Sequence, residues 1–221
     1  MTQGITAQSA AAKMNRQYRF QRHIYDATRT HYLLWRQRVI DDLKIEDGNV
    51  VEIACGTGWN LIRAAKTYPS AQFFGLDIST EMLATAAAKI AAEGLSSSVR
   101  LAQGDATAFN LEKLFGFKNA DRIIISYALS MIPDWPAVIE RAACSLTPHG
   151  AVHIVDFGPM DGMSWSSKRM IRRWLAHYHV TPRDDLHSFL LSLGQRHGLA
   201  VTVEHSRSGY SSYAILRGHN A

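Results

Sequence analysis

The sequence holds only two cysteines, Cys55 and Cys144. Two thiols cannot form a disulfide framework, and no Cys/His spacing matches a metal site, so neither a stapled secreted fold nor a zinc module is expected. No uncharged apolar run approaches the ~18 residues that a membrane-spanning helix needs. The first residues lack the apolar core of a secretory leader, which points to a reducing cytosol. Internal repeats and low-complexity tracts are missing too. Acid is scarce in two places. Residues 1–25 contain Lys13, Arg16, Arg19 and Arg22 but no Asp or Glu, and "SKRMIRRW" (167–174) contains none either.

What is present fits one soluble domain with a real core: 221 residues, 47% hydrophobic and 19% charged, with a net charge of +5. A positive excess suits an anionic membrane, a nucleic acid or an acidic substrate. The pattern predicts a helical segment from Met14 to about Leu43. Five strands follow at "VVEIAC", "AQFFGLDI", "VRLAQGDA", "DRIIISYAL" and "AVHIVDFG", with helices between most of them. Ser79 or Thr80 caps the helix that follows the second strand. Helices are expected over about 165–178 and 184–196, then two strands joined by "RSGY". This alternation predicts an α/β fold: a doubly wound, Rossmann-like, seven-stranded sheet, mostly parallel with an antiparallel edge strand. Residues 1–46 form an expected N-terminal helical lid over a domain spanning 47–221.

"EIACGTGWNL" joins the first strand to its helix. Gly56 and Gly58 let backbone approach a ligand. The third glycine of a dinucleotide loop is replaced by Leu61, and no lysine follows, so neither a pyrophosphate cradle nor a phosphate loop is complete. Glu52 lies four residues before Gly56, where it opposes a pyrophosphate and suits a cation. Asp77 ends the second strand, 21 residues after Gly56, placed to accept both hydroxyls of an unphosphorylated ribose. Asp105 follows the third strand and can accept from an adenine amino group. Ribose, adenine and positive charge together describe S-adenosylmethionine.

This ordered set resembles the class I S-adenosylmethionine-dependent methyltransferases over about residues 48–160, with Ala54 standing where that family usually has glycine. The resemblance implies a cofactor site of Glu52, Ala54, Gly56, Thr57, Gly58, Asn60, Asp77, Ile78, Met82, Asp105, Ala106 and Ser126, with S-adenosyl-L-homocysteine as product. It also implies that the segment before the first strand covers the cofactor. There Tyr18, Tyr25 and Tyr32 recur every seven residues and Arg29 follows Tyr25 by four, so they share a helical face. Phenol rings can hold an ammonium by cation–π contact, and Arg29 can fork onto a carboxylate.

"YDATRTHYLLWR" (25–36) is similar to a motif of the betaine-lipid N-methyltransferases of the BtaB type, which trimethylate the amine of diacylglyceryl-homoserine. Tyr25, Asp26, Thr28, Arg29, Tyr32 and Arg36 match, and Trp35 departs where glycine is usual. "MIPDW" and "SRSGYSSYA" extend the resemblance over nearly the whole chain. It implies catalytic roles for Tyr25, Asp26, Arg29 and Tyr127. A lipid acceptor fits the basic–aromatic segments, because interfacial helices mix arginine with aromatic residues. The second of them lies in an expected substrate cap at about 160–182. The implied partner is a lipid at an anionic membrane surface, with peripheral attachment to the inner face of a cytoplasmic membrane. No metal and no nucleic acid are implied: the fourth strand runs into "SYAL", not the proline motif of base-amine methyltransferases. Phosphatidylethanolamine and a soluble small amine or acid stay open as acceptors. A cofactor-binding regulator and an oxidoreductase stay open as other classes.

Overall fold

In the computed structural model, residues 33–218 are described. Seven strands form one sheet: β1 (Asn49–Ile53), β2 (Gln72–Asp77), β3 (Val99–Gln103), β4 (Ala120–Ser126), β5 (Leu146–Phe157), β6 (Leu199–His205) and β7 (Ser211–Gly218). Their order is β3-β2-β1-β4-β5-β7-β6. Strands β1 to β5 pair in parallel, while β7 runs antiparallel to both β5 and β6. The antiparallel pairing therefore falls at one edge, with β7 inside and β6 outermost. A hairpin turn reverses β6 into β7, and a reversed strand can pair with β5 only in antiparallel sense.

The helices are α1 (Arg36–Asp41), α2 (Trp59–Thr67), α3 (Thr80–Ala92), α4 (Leu111–Phe115), α5 (Trp135–Ala143), α6 (Trp165–His177) and α7 (Leu186–His197). Central strands are apolar on both faces because helices cover both faces: Ile53, Leu76, Ile123, Ile124 and Ile125 are fully buried. Ser79 caps α3, its hydroxyl accepting from the Met82 N–H. Helix α4 is not apparent in the sequence pattern, since five residues carry too little period to see. Its start is fixed by Asn110, whose side chain accepts from the Lys113 N–H.

The expected helix from Met14 to Leu43 falls mostly outside the described residues. Within them it is interrupted. Trp35 has φ 65°, a left-handed conformation, and α1 starts only after it. Glycine would adopt that angle freely. Here the indole is held in place instead: its ring meets Tyr213 edge-on at 6.5 Å, and the Arg38 guanidinium sits 5.4 Å from it and 4.8 Å from Tyr213.

Candidate active site

Strand order reverses at β1, which lies between β2 and β4. Ligands of open α/β sheets bind in the crevice outside the carboxyl ends of the strands at such a switch. Glu52 is on β1, Asp77 ends β2, Asp105 follows β3 and Ser126 ends β4, so the fold brings these expected positions to one edge.

The loop after β1 is shaped by three consecutive alternate positions with positive φ: Ala54 (56°), Gly56 (55°) and Gly58 (76°). A Cβ on Gly56 would meet nothing within 4 Å, so this backbone faces open space. A Cβ on Gly58 would lie 3.1 Å from Ala86 Cβ, so the loop packs tightly on α3. Leu61 replaces the missing third glycine without forcing α2 away. The space for its side chain comes from Gly75 on β2, where a Cβ would lie 2.5 Å from Leu61 Cδ1. Ala54 bears a conformation costing alanine about 1–2 kcal/mol. Ala54→Gly is expected to stabilise the fold by roughly 0.5–1 kcal/mol, once the freer unfolded chain offsets part of the relief. The midpoint of denaturant unfolding measures this; an unchanged or lower midpoint would contradict strain at Ala54.

Asp77 is buried, and its two oxygens accept from Gly56 N–H at 2.8 Å and Ser79 N–H at 2.9 Å. These bonds fix the carboxylate against the glycine loop and leave lone pairs on both oxygens. Burial raises its pKa, and the N–H groups of Ser79 and Gly56 oppose the rise. Asp105 accepts from the Thr107 N–H and hydroxyl through one oxygen, at 2.8 and 2.7 Å. Half-buried Ile78 and buried Met82 and Ala106 provide apolar surface at the same strand ends.

Glu52 is the most perturbed acid in the crevice. Burial pushes its carboxyl up to about 8, against the pull of Asn60 and Arg36. Asn60 Nδ2 donates to one oxygen at 2.5 Å, while Arg36 Nε donates to Asn60 Oδ1 at 3.1 Å. The other oxygen, Oε2, is buried without a partner among the described residues, as is the Ser126 hydroxyl. Buried polar atoms are nearly always paired, so two orphans at adjacent strand ends indicate a ligand's place. A ligand with a cationic end, a ribose and an adenine fits this set of donors and acceptors. Asn60, expected as a direct cofactor contact, has both ends of its amide engaged by protein groups. Arg36 is a positioning residue that the sequence placed only in the lid motif. Its guanidinium also lies 4.1 Å above the Trp59 ring.

Tyr127, an expected catalytic residue, is buried and takes φ 53° just past β4. Its hydroxyl donates to the Leu34 carbonyl at 2.8 Å and lies 2.9 Å from Ser211 Oγ. Burial raises its pKa. This geometry makes Tyr127 an anchor between the segment before α1, the end of β4 and the start of β7. The other expected catalytic residues, Tyr25, Asp26 and Arg29, lie outside the described residues, as do Tyr18 and Tyr32.

An aromatic corner adjoins this edge. The Phe157 ring meets Tyr127 at 4.9 Å and Tyr210 at 5.5 Å, both edge-on. Tyr210 is half-buried and belongs to the β6–β7 turn, which the sequence placed in the stretch "SRSGYSSYA" without giving this residue a role. The turn is stitched to the end of β5: Gly158 N–H donates to the Tyr210 carbonyl and Met160 N–H to that of Gly209, each at 2.8 Å. Such pairing across the fold leaves no local sequence signal.

Residues 50–150 match the protein family described as a methyltransferase domain. A demethylmenaquinone methyltransferase of Listeria monocytogenes serotype 4a (strain HCC23) is 26% identical over 136 residues, covering 61% of this chain and 55% of the relative. One from Geobacillus kaustophilus (strain HTA426) is 28% identical over 140 residues, covering 62% and 54%. The chain thus spans just over half the length of these relatives. Among solved structures, an O-methyltransferase family protein from Burkholderia thailandensis superposes with a TM-score of 0.67 at 18% identity, covering 87% of this chain and 58% of that one. Phosphoethanolamine N-methyltransferase 2 of Haemonchus contortus, in complex with S-adenosyl-L-methionine, gives 0.65 at 16% identity, covering 82% and 51%. At these identities the likeness is one of fold.

Proposed function

We propose that this chain, whose residues 50–150 match a methyltransferase domain, is a class I methyltransferase that methylates the amine of a lipid headgroup, with diacylglyceryl-homoserine as acceptor. S-adenosyl-L-methionine is the cofactor of the domain; when bound it supplies an electrophilic methyl group on a sulfonium. Glu52 faces its cationic end, Asp77 its ribose and Asp105 its adenine. The protein aligns donor and acceptor for a direct displacement and shields both from water.

The observation that carries the acceptor class is the half-buried Tyr210 beside the cofactor edge, its ring braced edge-on by the buried Phe157. Each methylation removes an N–H donor from the amine. Aromatic faces keep hold of it through successive rounds, because cation–π attraction needs no donor. The resemblance of residues 25–36 to the betaine-lipid motif supports a headgroup bearing a carboxylate, which Arg29 would fork onto. Proton release before each attack falls to Tyr25 or Asp26.

A second reading has its own support: the relatives above are named for methylating demethylmenaquinone, also a lipid. One experiment compares the acceptors. Purified protein with labelled cofactor is given diacylglyceryl-homoserine, phosphatidylethanolamine or demethylmenaquinone in matched vesicles, and products are resolved by mass spectrometry. The homoserine lipid is expected to pass through mono- and dimethyl species to the trimethyl product. Phosphatidylethanolamine is expected to react at least about tenfold more slowly, since losing one charge-assisted carboxylate contact costs about 1.5–3 kcal/mol. Faster methylation of either competitor would overturn the betaine-lipid reading.

A further inference from the structure

The register of the sheet puts three side chains of different chemistry in a row at its carboxyl edge. Glu52 on β1 pairs with Ile124 on β4, and Ser126, two residues on, pairs with Val155 on β5. Side chains alternate along a strand, so Glu52, Ile124, Ser126, Val155 and Phe157 share one face. Ile124, Val155 and Phe157 pack in one core cluster, as that alternation requires. Crossing from β1 to β5, the face thus carries an acid, a hydroxyl and a ring. Adjacent strands lie about 4.8 Å apart, so β1 and β5 stand about 10 Å apart with Ser126 between them.

Tyr127 joins the same face against its place in the alternation. Its positive φ turns the chain just past Ser126, and its ring enters the cluster and meets Phe157 at 4.9 Å. The Tyr127 N–H donates to the Val155 carbonyl at 2.7 Å, and its hydroxyl is engaged by the Leu34 carbonyl and Ser211. The end of β4 is therefore fixed, and so is the place of Ser126. Ser126 is half-buried, but its hydroxyl oxygen is buried and has no partner among the described residues. Such a group is rare inside a protein and costs stability until a ligand pairs with it.

The neighbours of Ser126 limit what it can do. Glu52 lies on the β1 side and faces the cofactor's cationic end in the reading above. Phe157 and Tyr210 lie on the β5 side, where that reading places the amine. Ring faces retain an ammonium but do not aim it, since attraction to a π face fixes no N–H direction. A hydroxyl oxygen accepts along defined lone pairs. Transfer needs the attacking nitrogen about 3–3.5 Å from the carbon and in line with the bond that breaks.

We propose that the Ser126 hydroxyl accepts an N–H of the acceptor amine and so directs the nitrogen lone pair at the methyl group. This rests on the lipid-amine reading and deepens it. In each transfer the lone pair forms the N–C bond as the C–S bond breaks, and the electrons of that bond leave on sulfur. The proton lost before attack has gone to water, and the serine keeps its own. A neutral primary amine offers two N–H groups, a monomethyl amine one and a dimethyl amine none. Ser126 thus serves the first and second transfers and has no part in the third, where aromatic faces alone hold the nitrogen.

The test compares the parent with Ser126→Ala and Ser126→Thr. Diacylglyceryl-homoserine and its monomethyl and dimethyl derivatives are supplied separately, and single-turnover rates are read by mass spectrometry. Ser126→Ala is expected to slow the first and second transfers roughly tenfold, since an N–H loses its partner, and to leave the third within about twofold of the parent. Ser126→Thr keeps a hydroxyl and should restore most of the lost rate. A second arm reads binding alone: protein loaded with S-adenosylhomocysteine is titrated calorimetrically with homoserine or with trimethylhomoserine. The alanine variant should bind homoserine several-fold more weakly and trimethylhomoserine as the parent does. Equal slowing of all three transfers, or equal weakening of both ligands, would make Ser126 a structural or cofactor contact and overturn the proposal. An unchanged first transfer would overturn it too. Parent-like affinity for S-adenosylhomocysteine shows that each variant is folded. If the parent methylates none of the three lipids, the lipid-amine reading fails, and the homoserine arm decides Ser126 by itself.

Discussion

Asp77→Ala is expected to weaken S-adenosyl-L-methionine binding by roughly tenfold to a hundredfold, the loss of one charge-assisted contact worth about 1.5–3 kcal/mol. The carboxylate ends β2 at the switch point, and the Gly56 and Ser79 N–H groups hold both of its oxygens. It is therefore rigid before any ligand arrives, and little ordering entropy is lost when ribose hydroxyls reach it. Alanine also removes the acceptor from two backbone N–H groups, so the glycine loop and the start of α3 lose their shared support. Asp77→Asn separates the two effects. It keeps one acceptor oxygen but brings an amide NH2 against a backbone donor, so binding should still fall while the fold is less disturbed. Titration calorimetry with the cofactor, beside thermal melts of both variants, reads this out. Parent-like affinity in a folded Asp77→Asn protein would remove Asp77 from the site.

Glu52→Gln is expected to stabilise the ligand-free protein at pH 8 and to weaken cofactor binding at the same pH. Glu52 has its carboxyl raised from 4.5 to about 8, chiefly by burial. Between those values the folded state holds a proton that the unfolded state has released. Stability of the ligand-free protein therefore falls as pH rises from about 4.5 to 8, by a few kcal/mol at most. Glutamine cannot ionise, so this slope should vanish. It also fits the existing bonds: Arg36 holds Asn60 Oδ1, so Asn60 Nδ2 still points at position 52, where the glutamine oxygen can accept. A cationic ligand reverses the balance by favouring the ionised acid. Binding to the parent should tighten towards pH 8 and release a proton, visible as a dependence of the calorimetric enthalpy on the buffer. The variant should show no such release and should bind about tenfold to a hundredfold more weakly. A variant that binds normally, or one whose stability keeps the parent's pH slope, would make Glu52 a structural acid only.

Several features were legible in the sequence because they depend on residues close together along the chain. The Ser79 cap, the left-handed glycines after β1 and the acids at strand ends all follow from local turn chemistry and from alternation between period 2 and period 3.6. Runs such as "DRIIIS" were recognisable as central strands because both faces of a parallel sheet are buried. Together these fixed the doubly wound sheet and placed Glu52, Asp77 and Asp105 at its edge.

Other features depend on partners that only the fold brings together. Leu61 looked like a defect in the glycine loop until Gly75, on a different strand, was found to make room for it. Trp35 looked like a departure from glycine; it keeps the left-handed backbone and is held by Tyr213 and Arg38. The basic cluster of α6 read as four equivalent cations, yet Asp161 and Asp184 neutralise Lys168 and Arg172, while Arg169 and Arg173 make no ion pair among the described residues. Tyr127 read as a reactive phenol, but the Leu34 carbonyl and Ser211 anchor it. The sequence by itself thus determined the element types, the switch point and the acids at the strand ends, because short-range sterics and burial period decide those. Tertiary structure alone decided which charges are neutralised and which hydroxyls are tied. Those outcomes turn on approaches of a few ångströms between residues far apart in the chain, and no local pattern encodes them.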